Sequence, residues 1–457
     1  VTNQFELFGF KEYIYPDIVI FVNGIPLVVI ECKRKDLPDP IEEAVEKNFA
    51  KYQLPKKGWD KLFFYNFFMV ATCGIVAKHG TIGANVNHFA PWTESYPLEK
   101  EEVAAKCTIE PRQQEFLVAG MLSKKHLVKL LKNYVIFDVE NEKKIKKIAK
   151  HQQFRAVEKA VIRAGLPGKK GGVIWHTQGS GKSLSMVWFS TQLLQEFGTP
   201  PIIIVTDRKQ LDRQITDTFT NAGYPSPKQI KKSNQLEEFL ANPEGKTRMT
   251  TIHKFSEVKS KINTNEKIFV LVDEAHRTQY KDHAIAMNNV LGKNAMKFGF
   301  TGTPIEKNNK NTFEEFGDPI DEYNSEEWKA DGATIPIDYV GLMPNLEVAD
   351  EKDLKEIVKR AFSDLDEKTI AELQKKCITR EKIAETPSRI KKIAWKIVKH
   401  FSENVQDKGF KAMIIAPNRD AAKLYKDYID EFKGPKSEII MTVTKGEKGG
   451  KFDDYRK

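Results

Sequence analysis

Three runs in this sequence have the residue types and spacing that chemistry on phosphate requires. The first is His176-Thr177-Gln178-Gly179-Ser180-Gly181-Lys182-Ser183. It follows an apolar run over 172–175 and precedes an amphipathic helical pattern over 184–197, which Gly198 and Pro200 stop. Gly179 and Gly181 let backbone N–H groups from Thr177 to Lys182 turn toward a β-phosphate, and the helix N-terminus adds partial positive charge. Lys182 would neutralise phosphate charge and the Ser183 hydroxyl would ligate Mg²⁺. One departure stands out: the strict pattern opens on Gly, and His176 occupies that place.

The second run is Asp273-Glu274-Ala275-His276, after the apolar stretch 268–272. A carboxylate at the carboxyl end of such a strand faces the phosphate site of an open α/β sheet. Asp273 would then hold Mg²⁺ through water and Glu274 would polarise the attacking water. Downstream, Thr301-Gly302-Thr303-Pro304 follows the run 297–300. Its two hydroxyls could couple nucleotide state to a partner lobe, although the run alone reads equally well as a turn.

The third is Pro16-Asp17 with Glu31-Cys32-Lys33. Two carboxylates can hold Mg²⁺ against a phosphodiester, and Lys33 can orient or deprotonate water. Spacing of i, i+2 puts Glu31 and Lys33 on one strand face. Acid and Lys pairs are also common on solvated strands, so geometry must decide. The apolar runs 18–22 and 25–31 flank Asn23-Gly24, a hairpin signal. A plain two-residue turn would set Asp17 opposite Ile30 and send Glu31 to the other face. Both carboxylates meet one metal only if the register shifts by one. An odd loop or a bulge near Gly24 to Pro26 is therefore expected.

These runs need elements to hold them. Residues 41–52 and 113–131 read as helices, 63–76 as strand-like, and 143–150 as a basic helical connector. From Gly171 short apolar strands alternate with helical stretches, at 172–175, 201–206, 249–252, 268–272 and 297–300. That rhythm means βα units and a parallel sheet. Beyond Gly332 the pattern is irregular until about residue 386. Residues 411–416, 420–432 and 438–443 then read as strand, helix, strand.

The 457 residues are 40% hydrophobic and 30% charged, which excludes a disordered or fibrous chain. At roughly 100–200 residues per domain, about two to four domains are expected. Four cysteines are too few and too scattered for a disulfide scaffold or a Cys-rich zinc site. No apolar run is long enough to span a bilayer and no signal peptide is present, so a cytoplasmic protein with no membrane contact is expected. The net charge of +10 permits nucleic-acid binding without establishing it. With no initiator Met and a strand-like end at Lys457, the chain reads as an interior fragment.

The ordered blocks resemble the helicase-like superfamily 2 motors. The resemblance covers Gln153, the phosphate loop, Val205 to Arg208, Thr250 to His253, Asp273 to His276 and Thr301 to Pro304. It implies that Gln153 reads adenine, that His276, Thr301 and Thr303 belong to the nucleotide site, and that Thr206, Arg208 and Thr251 lie near the DNA backbone. His253 reads better as an ordinary loop histidine. The family's last blocks, with the arginine finger, have no match, so this fragment is expected to bind nucleotide and turn it over poorly.

The N-terminal run resembles a PD-(D/E)xK nuclease site. Some such nucleases carry Gln-x-x-x-Tyr on the next helix. Tyr52 fits, with Asn48 standing where the Gln would be, and both fall on one helix face. A nuclease followed by a motor resembles the motor-nuclease (R) subunit of a type I restriction-modification enzyme. Type III subunits have the reverse order. Further runs fit, among them Thr72-Cys73-Gly74, Gln153 to Val157 and Asp331 to Ile337, with Lys78 and His79 where the family often has an aromatic.

The resemblance implies an α/β protein. Residues 1–140 would form the PD-(D/E)xK endonuclease domain, 141–335 a RecA-like motor lobe, and 336–457 a linker with an incomplete second RecA-like lobe. It implies ATP and Mg²⁺ as cofactors, with S-adenosylmethionine only in partner methyltransferase subunits. The implied partners are double-stranded DNA and the modification and specificity subunits. The implied activity is duplex translocation without strand separation, with cleavage away from the recognition site after stalling. The connector 143–157 is a candidate for sensing the stall. A repair helicase with a vestigial nuclease domain and a non-catalytic DNA clamp are the competing readings; a strand-displacement assay separates the first, and the intact acidic and Lys residues argue against the second.

Overall fold

The computed structural model describes residues 1–140, 143–168, 171–207, 209–243, 245, 247–258, 267–275, 280–291, 295–304, 306–307, 310–333, 341 and 386–441. The chain divides into two compact units, Val1–Pro336 and Ile337–Lys457.

The first unit holds two large sheets. The N-terminal sheet runs Thr2–Asn3, Ile18–Val22, Ile25–Cys32, Phe68–Thr72, Ala77–Gly80, Ala90–Pro91 in spatial order. Only the pair Ile25–Cys32 with Phe68–Thr72 is parallel. The connection between those two strands is helical. It begins with Pro40–Glu42, widens into a π-helical stretch Glu43–Phe49, and closes with Ala50–Tyr52. Its apolar face, Ala44, Val45, Phe49 and Tyr52, packs on one side of the sheet with Trp59, Leu62 and Phe63. The strand expected over 63–76 is shorter, because residues 60–63 form a helical turn ahead of it. The helix expected over 113–131 breaks at Ser123 into Gln113–Leu122 and Lys124–Asn133.

The basic connector is not helical. Lys143–Ile148 is a β-strand, paired antiparallel with Val135–Glu140, not a helix. Ile145 and Ile148 are three residues apart, which suits a helix, but the neighbouring strand satisfies their backbone and overrides the local pattern.

The motor sheet has seven strands, all parallel, in the order Lys228–Gln229, Thr247–Thr251, Ile202–Thr206, Ile268–Asp273, Ala295–Thr301, Gly171–His176, Pro319–Tyr323. The five strands expected from the βα rhythm are all present. They are buried on both faces, as parallel strands require. The topology is that of a RecA-like lobe: the strand that feeds the phosphate loop is inside the sheet, and helices cover both sides.

A single apolar cluster runs through both halves of this unit. It joins Val28, Phe68 and Val70 of the first sheet to Leu127, Tyr134 and Ile136, and these to Phe154, Trp188 and Phe298 of the motor. The two sheets therefore share a core rather than hanging on a tether. Among the described residues no helix is long and apolar enough to cross a membrane.

In the second unit Pro387–Asn404 and Arg419–Glu431 pack through Ile390, Ala394, Ala421, Tyr425 and Ile429. The strands expected at 411–416 and 438–443 do not form among the described residues; 411–416 and 438–441 are irregular, with Met413, Ile415 and Ile440 exposed. A strand needs a neighbour for its N–H and C=O groups, and none is paired with them here.

Candidate functional site

The hairpin carries the bulge that the carboxylates require. Phe21 pairs with Pro26, yet Ile20 pairs with Val28 and Ile18 with Ile30, so Leu27 is the extra residue. Asn23 and Gly24 form the turn with φ of 50° and 79°, as a two-residue hairpin demands. The bulge falls one residue past the Gly24 to Pro26 stretch. Beyond it the register has moved by one, which carries Asp17 alongside the Glu31 end of the neighbouring strand.

Asp17 is anchored at both oxygens. Its Oδ2 accepts from Cys32 N at 2.8 Å, and its Oδ1 accepts from Gln4 Nε2 at 3.0 Å. Glu31 is 1% exposed; its Oε2 accepts from Lys33 Nζ at 3.1 Å, while its buried Oε1 has no hydrogen-bond partner. Burial raises the Glu31 pKa, and the neighbouring Asp17 charge raises it further against the pull of Lys33. A buried carboxylate oxygen without a donor, beside a second carboxylate, is the donor set a hard divalent cation uses. Among the described residues no group of three or more His, Cys, Asp and Glu forms a metal cluster. A pair of carboxylates fits Mg²⁺, whose remaining positions would be filled by water and phosphate oxygens.

Tyr52 stands over this pair from the helix. Its hydroxyl accepts from Asn48 Nδ2 at 3.1 Å, so the shorter amide still bridges one turn. Burial, then the Glu31 charge, pushes the Tyr52 pKa up to about 12. The π-helical stretch holds Asn48 and ends at Phe49, and the α-helical turn Ala50–Tyr52 follows it.

The phosphate loop follows Gly171–His176 and opens the helix Lys182–Glu196. Gly179 and Gly181 have φ of 86° and 89°. The φ of 89° favours glycine at 181, where a Cβ would also meet Gln153 Nε2 at 2.4 Å. Gln153 donates to Gly181 O at 3.1 Å and accepts from Lys150 N at 2.9 Å. It holds the loop and caps its own helix. Lys182 Nζ bonds His176 O at 3.1 Å and Thr177 O at 3.4 Å. Burial lowers the Lys182 pKa, opposed by the charges of Glu274 and Asp273. Asp273 ends its strand facing this loop, and Glu274 follows in the left-handed region at φ 51°. Such strain in a non-Gly residue is a feature of functional sites. Ser180 is buried with its hydroxyl unpartnered, and Ser183 is the second residue of the helix.

Thr301 is buried and its Oγ1 accepts from Thr303 N at 3.1 Å. Gly302 lies against the loop: a Cβ there would be 3.1 Å from Gln178 N. Thr206 is fully buried and its hydroxyl donates to Asp212, while Thr251 ends the adjacent strand. The Thr206 side chain is thus engaged inside the protein; only its strand end lies beside Thr251. His253 contacts His283, Nδ1 to Nε2, at 3.0 Å. Arg208 and His276 lie outside the described residues.

His176, where the strict loop has Gly, is fully buried with Nε2 2.9 Å from Asp321 Oδ2. Asp321 also accepts from Arg155 Nε at 2.7 Å and from Lys159 at 2.8 Å. Burial alone would raise the Asp321 pKa; the His176 hydrogen bond and the Arg155 guanidinium hold it well below the usual carboxylate range. Sequence reasoning missed Gln4, Asp321 and Trp328, whose ring lies 3.2 Å or less from where a Gly179 Cβ would be. None of them belongs to a spaced motif. The paired acids Asp321 and Glu322 in the short strand Pro319–Tyr323 were the one available signal.

Two family models match. Residues 1–87 match the type I restriction enzyme R protein N terminus, and residues 152–371 match the SWI2/SNF2 ATPase. The HindI endonuclease subunit of Haemophilus influenzae is 32% identical over 447 residues, covering 91% of this chain and 41% of that protein. The chain belongs to the R-protein family of type I restriction enzymes. The putative MjaIXP endonuclease subunit of Methanocaldococcus jannaschii is 30% identical over 97% of this chain and 44% of that protein. The chain thus spans under half the length of these R-protein relatives. Among solved structures, the type ISP restriction-modification enzyme LlaBIII bound to DNA overlaps 42% of this chain and 16% of that one, at 16% identity and a TM-score of 0.31, too low to argue from.

Proposed function

We propose that this chain is the nuclease and leading motor portion of an ATP-driven, Mg²⁺-dependent double-stranded DNA translocase and endonuclease, the R subunit of a type I restriction enzyme. The observation that carries it is the bulge at Leu27, which brings Asp17 beside Glu31 and Lys33 in a chain that also holds a phosphate loop. A hairpin kept only for stability has no need of an unpartnered buried carboxylate oxygen.

In this reading Asp17 and Glu31 hold the cation, Lys33 orients water, and Tyr52 with Asn48 fixes the approach of the DNA strand. When bound, Mg²⁺ supplies charge neutralisation at phosphate in both sites and acidified water in the nuclease site. Gly179, Gly181 and Lys182 cradle the nucleotide phosphates. Ser183 and Asp273 carry its cation, and Glu274 polarises water. Lys182, which contacts the His176 and Thr177 carbonyls here, would exchange them for nucleotide phosphate. The strand ends at Thr206 and Thr251 track the DNA backbone, which fixes position and not sequence. Modification and specificity subunits supply recognition.

The test uses the full-length subunit with its partners on circular DNA. Lys182→Ala should lose ATP hydrolysis and cleavage together. Lys33→Ala should lose cleavage and keep ATP hydrolysis. If Lys33→Ala still cuts, the hairpin is structural and the nuclease assignment fails.

A further inference from the structure

The phosphate loop is clamped from one side by a single segment, residues 319–331. His176 pairs with Tyr323 in the sheet, Thr177 N donates to Tyr323 O at 3.0 Å, and the His176 ring is fixed on Asp321 at 2.9 Å. Trp328, on the short helix that follows, covers Gly179.

The same segment is bolted to the N-terminal sheet at two points. Arg155, which grips Asp321 with Nε and Nη2, also ion-pairs through Nη1 with Glu94. Ten residues on, Asp331 accepts from Thr93 Oγ1 at 3.0 Å, Tyr323 OH at 2.7 Å and His151 Nε2 at 2.7 Å. Thr93 and Glu94 directly follow Trp92, which is buried against His79 on one side and His151 and Phe154 on the other. From there the path to the nuclease carboxylates is continuous backbone pairing. Ala90 pairs with His79, Lys78 with Ala71, and Ala71 with Glu31.

We propose that Asp321, Asp331 and Glu94 are positioning residues that couple the phosphate loop to the nuclease sheet, so that occupancy of the nucleotide site is read at Thr93–Glu94 and passed along the strands to Glu31. The inference rests on the motor-nuclease reading and adds the route between its two sites. Rigid parts explain why a small shift at the loop travels: Arg155 and Asp321 are buried, and a packed core moves as a unit. Asp331 binds Thr93 from one half and His151 and Tyr323 from the other, and Arg155 joins Asp321 to Glu94, so neither half can shift alone. Coupling of this kind is reciprocal: DNA seated at the nuclease carboxylates must alter nucleotide affinity by the same factor.

Glu94 tests this best, because it touches neither site. In the full-length subunit with its partners on circular DNA, Glu94→Gln should keep ATP hydrolysis near wild type and lower cleavage per ATP by about fivefold or more. Glu94→Asp should restore most of that ratio. A merely structural role would lower both activities in proportion, or neither, and either result overturns the proposal. Wild type and Lys33→Ala run alongside: wild type that fails to cut sinks the nuclease reading itself, whereas wild type that cuts beside a Glu94→Gln with an unchanged ratio sinks only the coupling. Should Glu94→Gln fold poorly, hydrogen exchange on the wild-type subunit decides. Adding a non-hydrolysable ATP analogue should change protection at residues 77–80 and 90–94, and no change there overturns the route.

Discussion

Glu31 in the N-terminal sheet and Asp321 in the motor sheet are both strand carboxylates, 1% and 3% exposed. Asp321 is surrounded by Arg155, Lys159 and His176, and its pKa is held low. Glu31 has Lys33 hydrogen-bonded to one oxygen, no hydrogen bond at the other, and Asp17 and the Tyr52 hydroxyl beside it, and its pKa is raised. Burial acts on both in the same direction, so the difference comes from their neighbours. Compensated charge marks the carboxylate that holds the lobe together. Uncompensated charge marks the one reserved for a cation.

The largest effect that would test this contrast is on stability. Asp321→Asn leaves the buried Arg155 with Glu94 alone and takes the carboxylate from His176 and Lys159, and should cost about 3–5 kcal/mol, read from the denaturant midpoint. Glu31→Gln should abolish cleavage and, without divalent cation, stabilise the fold by about 0.5–2 kcal/mol. If both variants lose stability alike, Glu31 is as structural as Asp321 and the contrast collapses.

The pH dependence sharpens the second case. The Glu31 pKa is raised from an ordinary 4.5, so the folded state binds this proton more readily than the unfolded chain. Its contribution to stability is fully present below the unfolded value and is lost as pH rises through the folded one. The advantage of Glu31→Gln should therefore grow across that window and level off above it. Cleavage should show the mirror image, with an acid limb above the ordinary carboxylate range. More Mg²⁺ should move that limb to lower pH, because the cation competes with the proton. A limb that ignores Mg²⁺ concentration would place the titrating group elsewhere.

How much of this was legible beforehand differs between the two sites. The bulge could be foreseen by counting, because strand faces alternate strictly and Asp17 and Glu31 are otherwise out of phase. The phosphate loop and the strands of its sheet were legible because apolar runs ending in Thr, Asp or His repeat with helical stretches between. The clamp was not. Asp321, Arg155 and Glu94 are far apart in sequence, and only the sheet order sets Pro319–Tyr323 beside Gly171–His176. Lys143–Ile148 reads as a helix because its isoleucines fall at helical spacing, and only pairing with Val135–Glu140 decides otherwise. Residues 411–416 look like a strand, but they lack one neighbour to pair with among the described residues.

The smallest effect concerns Tyr52, and it separates support from chemistry within the nuclease site. Tyr52 is buried, accepts from Asn48, and lies close enough to feel the Glu31 charge. Tyr52→Phe keeps the ring in its apolar seat and removes only the hydroxyl. If that hydroxyl orders the site, cleavage should fall about tenfold, the order of one hydrogen bond to a charged group, ~1.5 kcal/mol. ATP hydrolysis should not change. Asn48→Ala should give a similar loss, and the double variant little more than either alone, because the two act through one contact. Additive losses would mean that Asn48 and Tyr52 serve the site separately, and that the Asn in place of Gln performs a role of its own.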